Sequence, residues 1–346
     1  MVTKRELRMP EGDGRKSLLK ELLWFGVSAA IIAGMVYFAG IEDFLVAITK
    51  ANLWYIAPAL VLGVSTGLVW SFSWYRVFQK VDIPATFRES VNLQFAGSFL
   101  NSITPLGQAG GEPFMAYIIS SNTDSSYEKA FSAVLSADII NVIPAFTFVL
   151  GGTVYMLFFH SISNILIEIL YLAFLAIGVG GVLVYLLWFK AGRIEGFILG
   201  VLGWISAKVG RGEKYVRKAE KRLLKFEDAM REVGNDPKYL AKTVMMIHTG
   251  FVLEVLTLYF VLVSLGINPL LSSLYFVLPL ADIANTSPTP GGSGTYEAAM
   301  GWLLSILTPA NFAVGLSAAI IYRLMTYWPM LFIGYFAFHG TRNGGA

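Results

Sequence analysis

Residues 285–297 read N-T-S-P-T-P-G-G-S-G-T-Y-E, and the reading of this stretch decides the fold. Pro288, Pro290 and the glycines Gly291, Gly292 and Gly294 interrupt a helix, and Glu297 adds a carboxylate. The flanks, 274–284 and 298–307, are apolar. In a soluble protein such a stretch is a surface loop. Here it lies inside a segment hydrophobic enough to enter a bilayer, where irregular backbone is tolerated only when buried in protein or facing a watery cavity. Two readings follow: a loop between short transmembrane helices, or a re-entrant hairpin lining a site. A second stretch of the same kind favours the hairpin.

That second stretch, N-S-I-T-P-L-G-Q-A-G-G-E-P at 101–113, lies within 91–120. Its flanking pieces, 91–103 and 114–120, are each too short at about 1.5 Å per residue to cross a hydrocarbon core of about 30 Å. The tips align loosely: Thr104 and Pro105 with Thr289 and Pro290, Gly110 and Gly111 with the 291–294 glycines, and Glu112 with Glu297.

Working outward, the chain has 346 residues, 55% of them hydrophobic and 14% charged, with a mean hydropathy of +0.62. Its long apolar runs place it among polytopic membrane proteins. Zero cysteines exclude disulfides, thiolate metal sites and a cysteine nucleophile. The histidines at 160, 248 and 339 have no metal-binding spacing, so no metal or other cofactor is expected. No nucleic-acid contact is expected either.

Full spans are expected at 22–39, 53–75, 131–159, 165–189, 243–265 and 312–338, and the hairpins at 91–120 and 274–307 enter from opposite faces. The domain plan is a basic N-terminus (1–21), a first membrane half (22–189), an interfacial amphipathic segment (190–242), a second membrane half (243–338) and a tail (339–346). The 190–242 segment holds 13 of the 26 Lys and Arg residues and carries helical apolar stripes. A solvated helix resting on the membrane explains it, and contact with anionic lipid is the alternative. The layout places 24 of the 26 basic residues on one side, with Lys50 opposite and Arg323 within the membrane. The positive-inside rule then predicts a cell-membrane protein with both termini cytoplasmic. The expected fold class is all-α and polytopic, with the two hairpins forming an inverted repeat. Such repeats meet at a midplane substrate site in transporters.

Helices restarting after each break should point free N–H groups at the tips, a donor-rich arrangement suited to phosphate. Glu112 and Glu297 are expected in the first turns, either as caps or as partners of Arg323, a cationic headgroup or a proton. Ionisable groups in the membrane cost roughly 2.5–3.5 kcal/mol each unless paired or wetted, which singles out Arg323, Glu254, Asp138 and His248. For Arg323 a structural ion pair with Glu254 or Glu297 is the competing reading, and for His248 a structural role is favoured. Asp282 stands just before the second tip. The candidate substrate-binding set is Asn101, Thr104, Pro105, Gly110, Gly111, Glu112, Asp138, Glu254, Pro288, Pro290, Gly291, Gly292, Gly294, Glu297 and Arg323, with no catalytic or metal-binding residue assigned.

The motifs at 101–113 and 287–297, with Arg323-x-x-Thr326-Tyr327-Trp328 and Gly334, resemble the membrane region of the lysylphosphatidylglycerol synthetase/flippase proteins, a family with archaeal and bacterial members. The resemblance covers nearly the whole chain. It implies paired re-entrant elements and movement of a phospholipid or polyprenyl-phosphate-linked headgroup between leaflets, with membrane lipid as substrate. Met115 stands where similar sequences tend to carry a basic residue. Ala137, Asp138 and Asn141 stand where they often carry an acidic–Arg pair and a later Asp. With Ala346 as the last residue there is no room for a soluble aminoacyl-transferase domain, so lipid aminoacylation is not expected. An ion-coupled transporter of a small solute and an intramembrane lipid-phosphate enzyme are the alternatives. Homo-oligomerisation stays open.

Overall fold

The computed structural model describes residues 41–49, 51–104, 108–159, 231–287 and 289–343, with isolated helical positions between 167 and 185 and at 228–229. The expected spans 22–39 and 165–189 and most of the 190–242 segment lie outside the described residues. Those described form helices, with no strand among them: α1 (Ile41–Thr49), α2 (Leu53–Lys80), α3 (Phe87–Ile103), α4 (Gln108–Asn122), α5 (Tyr127–Phe159), α6 (Pro237–Ser264), α7 (Leu271–Asp282), α8 (Thr295–Leu307), α9 (Phe312–Met325) and α10 (Tyr327–Asn343). Four stretches are long and apolar enough to span a bilayer: Leu53–Lys80, Tyr127–Tyr155, Pro237–Ser264 and Phe312–Thr341. They coincide with four of the expected spans.

Local chemistry sets the boundaries. Asn52 caps α2 by accepting from the Trp54 N–H, and Thr86 with Glu89 forms a reciprocal capping box at α3. Asp236 caps α6 through the Tyr239 N–H, and Asn311 caps α9 through the Val314 N–H. Helices α2 and α6 pack against each other along their lengths. The Asn52 N–H donates to the Ser264 carbonyl at one end of that pair, and Lys80 Nζ lies 2.8 Å from Asp236 Oδ2 at the other.

The first broken element is α3 and α4, packed on each other and, through α4, on α5. The second is α7, two 3₁₀ turns (Ile283–Thr286 and Pro290–Gly292) and α8. Both breaks fall where the sequence places them. The restart of the first does not: α4 begins at Gln108, so Glu112 sits in its second turn and Pro113 is taken inside the helix. A proline this near an N-terminus removes a single backbone bond, which a helix tolerates better there than in its middle.

The expected span 312–338 is present, but it is interrupted at Thr326, which separates α9 from α10. Pro329 has no N–H to give the Met325 carbonyl. Gly63 of α2 lies against that carbonyl, in space that a Cβ would fill. The same close approach by small residues joins Gly334 of α10 to the Phe95 carbonyl of α3, and Gly301 of α8 to Gly315 of α9.

Candidate site at the two hairpin tips

Arg323 organises the second tip. It sits in the last turn of α9 and is buried, as is Glu297 on α8. Its Nε lies 3.2 Å from Glu297 Oε1, and its NH2 group donates to the Gly291 carbonyl at 2.9 Å. The Tyr327 ring lies 3.9 Å from the guanidinium carbon and the Tyr296 ring 5.0 Å. Glu297 Oε2 accepts from the Gly294 N–H at 2.7 Å. Of the two readings of Glu297, cap and partner of Arg323, both hold at once. The N–H of the N-cap residue Gly294 is therefore taken by the glutamate in the first turn of α8.

The loop itself is held by hydroxyls. Ser287 Oγ lies 2.6 Å from Thr295 Oγ1 and 2.9 Å from Thr289 Oγ1, and Thr295 Oγ1 donates to the Gly292 carbonyl. Gly291, Gly292 and Gly294 adopt φ of 54°, 66° and 90°, the left-handed region that glycine enters at little cost. A Cβ on Gly291 would also strike the Tyr327 hydroxyl.

The first tip repeats one of these contacts. Gly111 packs against Asn101 Oδ1, and Gly292 packs against Asn285 Oδ1. In each hairpin an asparagine before the break thus rests on a glycine after it. Thr104 ends α3 with its hydroxyl donating to the Leu100 carbonyl. Gly110 lies in the first turn of α4, while Pro105 and Pro288 are outside the described residues. The tips meet: the Pro290–Gly292 turn packs on α3, and the Tyr327 hydroxyl points at the Ser102 carbonyl, 3.5 Å away.

The other candidate carboxylates form two further groups. Glu112 on α4 and Asp138 on α5 stand close enough for their carboxyl groups to act on each other, and Asp138 Oδ2 is buried without a partner. Two carboxyl groups can bond each other only across a proton. Glu254 on α6 accepts from Trp70 Nε1 at 3.3 Å, and not from Arg323. Asp282, at the end of α7, is exposed although the charges of Glu254 and Arg323 act on it, and it accepts from Asn285 Nδ2. Around the two tips, the described residues include the carboxyl groups of Glu112, Asp138, Glu254, Asp282 and Glu297 and the base Arg323. With Arg323 spent on Glu297, the surroundings of the tips are acidic. His248 is structural, with Nε2 2.7 Å from Thr147 Oγ1 and Nδ1 2.7 Å from the Val244 carbonyl.

Sequence reasoning passed over Tyr327, Tyr296, Asn285, Ser102 and Trp70. Tyr327 was visible next to the helix break signalled by Pro329. Trp70 carries no signal, because a tryptophan in an apolar span looks like any lipid-facing residue.

Fold and site together define a polytopic, all-helical membrane protein whose two interrupted elements converge on one buried arginine. The chain belongs to the lysylphosphatidylglycerol synthase TM region family, whose description matches residues 25–334. It is similar to UPF0104 membrane protein PH1989 of Pyrococcus horikoshii, 23% identical over 327 residues, covering 91% of this chain and 96% of the relative. A UPF0104 membrane protein of Methanothermobacter thermautotrophicus is 24% identical over 319 residues, covering 90% of this chain and 92% of its own. One from Archaeoglobus fulgidus is 27% identical over 326 residues, covering 89% and 93%.

Proposed function

We propose that the chain is a translocase and not an enzyme, moving a lipid headgroup between leaflets through the space between the two hairpin tips. The observation that carries this is the meeting of the tips: the Pro290–Gly292 turn on α3, with Tyr327 reaching from Arg323 to Ser102. Irregular backbone at membrane depth is stable when it is buried in protein or lines a cavity, and in transporters paired broken elements enclose the substrate. The charge balance narrows the headgroup. Glu254 and Asp282 place two carboxyl groups beside the tip cluster while Arg323 is paired with Glu297, so an ammonium-bearing headgroup fits better than a bare phosphate. The lipid in the family's description, a lysyl ester of phosphatidylglycerol, is of that kind.

The Glu112–Asp138 contact favours one second reading, a proton-coupled transporter of a small solute, since a shared proton is what a coupling site must hold. Reconstituted proteoliposomes separate the two. Exchange of fluorescent phosphatidylethanolamine between leaflets supports the translocase. Solute uptake driven by a proton gradient, without lipid exchange, supports the second reading, and chemically altered lipid would overturn both.

A further inference from the structure

We infer that the groove between α2 and α6 is a binding site for an anionic membrane phospholipid, separate from the hairpin tips and independent of the transport reading. A cavity of about 300 Å³ opens there, lined by Leu68, Phe72, Phe87, Met246 and Ile247, with Thr243 at its end. That is the lower end of the usual range for ligand pockets, about 300–1,000 Å³. Its walls are almost wholly apolar, and the exposed Leu68 and Met246 leave its mouth open. Both helices that form it are among those long and apolar enough to span a bilayer, so the occupant at that depth is a lipid hydrocarbon chain. Phe87, which stacks edge-on against Tyr75, closes the side toward α3.

Charge selects the headgroup. Thr243 both lines the groove and accepts from Nε and NH2 of Arg76, each at 3.4 Å, so the guanidinium stands directly at its end. The Tyr239 ring, 4.9 Å from the guanidinium carbon, holds it there. Arg88 follows the lining residue Phe87, and Lys242 precedes Thr243. Among the described residues Arg76, Arg88 and Lys242 form no ion pair, whereas the neighbouring Lys80 is committed to Asp236. Basic side chains at the end of an interhelical groove are how membrane proteins hold anionic headgroups, and Arg76 is the one that contacts the groove here, with Arg88 and Lys242 adjacent to lining residues in the sequence. The phosphate would lie on Arg76 with one chain running down the groove.

Native mass spectrometry of the full-length protein released from detergent tests this, with phosphatidylglycerol and phosphatidylcholine of matched chains as probes. The wild type should retain phosphatidylglycerol preferentially. The double variant Arg76→Gln/Lys242→Gln should retain it about thirtyfold less, at about 1 kcal/mol per basic residue. Thr249→Trp, at an exposed lining position, should evict it by filling the groove while the melting temperature stays that of the wild type. Equal retention of the two lipids by the wild type overturns the proposal. So does loss in the charge variant with full retention in Thr249→Trp, because that result reports basic surface alone.

Discussion

Arg323 Nε lies 3.2 Å from Glu297 Oε1, and the two side chains are only 4% and 5% exposed. The pair joins α9 to the first turn of α8, and the second oxygen of Glu297 caps that turn. Its value is best judged by breaking it, since burying two charges costs several kcal/mol per ion before their attraction is counted. Arg323→Ala should destabilise the protein by roughly 3–5 kcal/mol, because it strands a buried carboxylate. Arg323→Met with Glu297→Gln should cost less than the single change. Thermal melts of the purified variants check the order.

The second prediction concerns the loop backbone. Gly291→Ala forces a side chain into φ of 54° and into the Tyr327 hydroxyl, and should cost about 1–3 kcal/mol. Gly178→Ala, at an open helical position, should not destabilise and should raise the melting temperature if anything. Comparison of the two melting temperatures tests the geometry of the tip.

How much of this was legible beforehand follows from where each signal resides. Prolines and glycines announce a break locally, so both tips and the capping role of Glu297 could be read from the chain. The start of α4 could not, since Gly110, Gly111 and Pro113 look like breakers, yet each is accommodated within the helix. The partner of Glu112 comes from α5, 26 positions along the chain, and that proximity is a product of packing. The break at Thr326 had its cue in Pro329, hidden inside an apolar run that reads as one span. The choice of Glu297 over Glu254 as partner of Arg323 is likewise tertiary: Glu254 is turned to Trp70.

Tyr327 should separate two contributions. Tyr327→Phe keeps the ring on Arg323 and loses only the 3.5 Å contact to Ser102, so stability should be nearly unchanged. Tyr327→Ala removes the ring and should cost about 2 kcal/mol or more, given a desolvated cation–π contact. Equal melting of both variants would show that the ring is not what holds the guanidinium.

A pH effect is expected at the Lys80–Asp236 end of the α2–α6 pair. The hydrogen bond from Lys80 holds the Asp236 carboxyl below its ordinary value of 3.8, with the Tyr239 N–H adding to it. A depressed folded-state value means that the stabilisation is fully present above the unfolded value and is lost as pH falls through the folded one. Wild type and Asp236→Asn should therefore converge in stability on acidification below about pH 4 and differ above it. Melting curves at pH 3 to 7 would show this, and a constant difference across that range would contradict it.

The most direct measurement is leaflet exchange in proteoliposomes, comparing phosphatidylethanolamine with phosphatidylglycerol for the wild type and for Glu254→Gln/Asp282→Asn. Both changed side chains lie off the buried Arg323–Glu297 pair, so the fold should survive, as a melt will show. The account predicts faster exchange of the amine-bearing lipid by the wild type, and loss of that preference in the variant. Folded wild-type protein that exchanges neither lipid, or a variant that keeps both rate and preference, would contradict it.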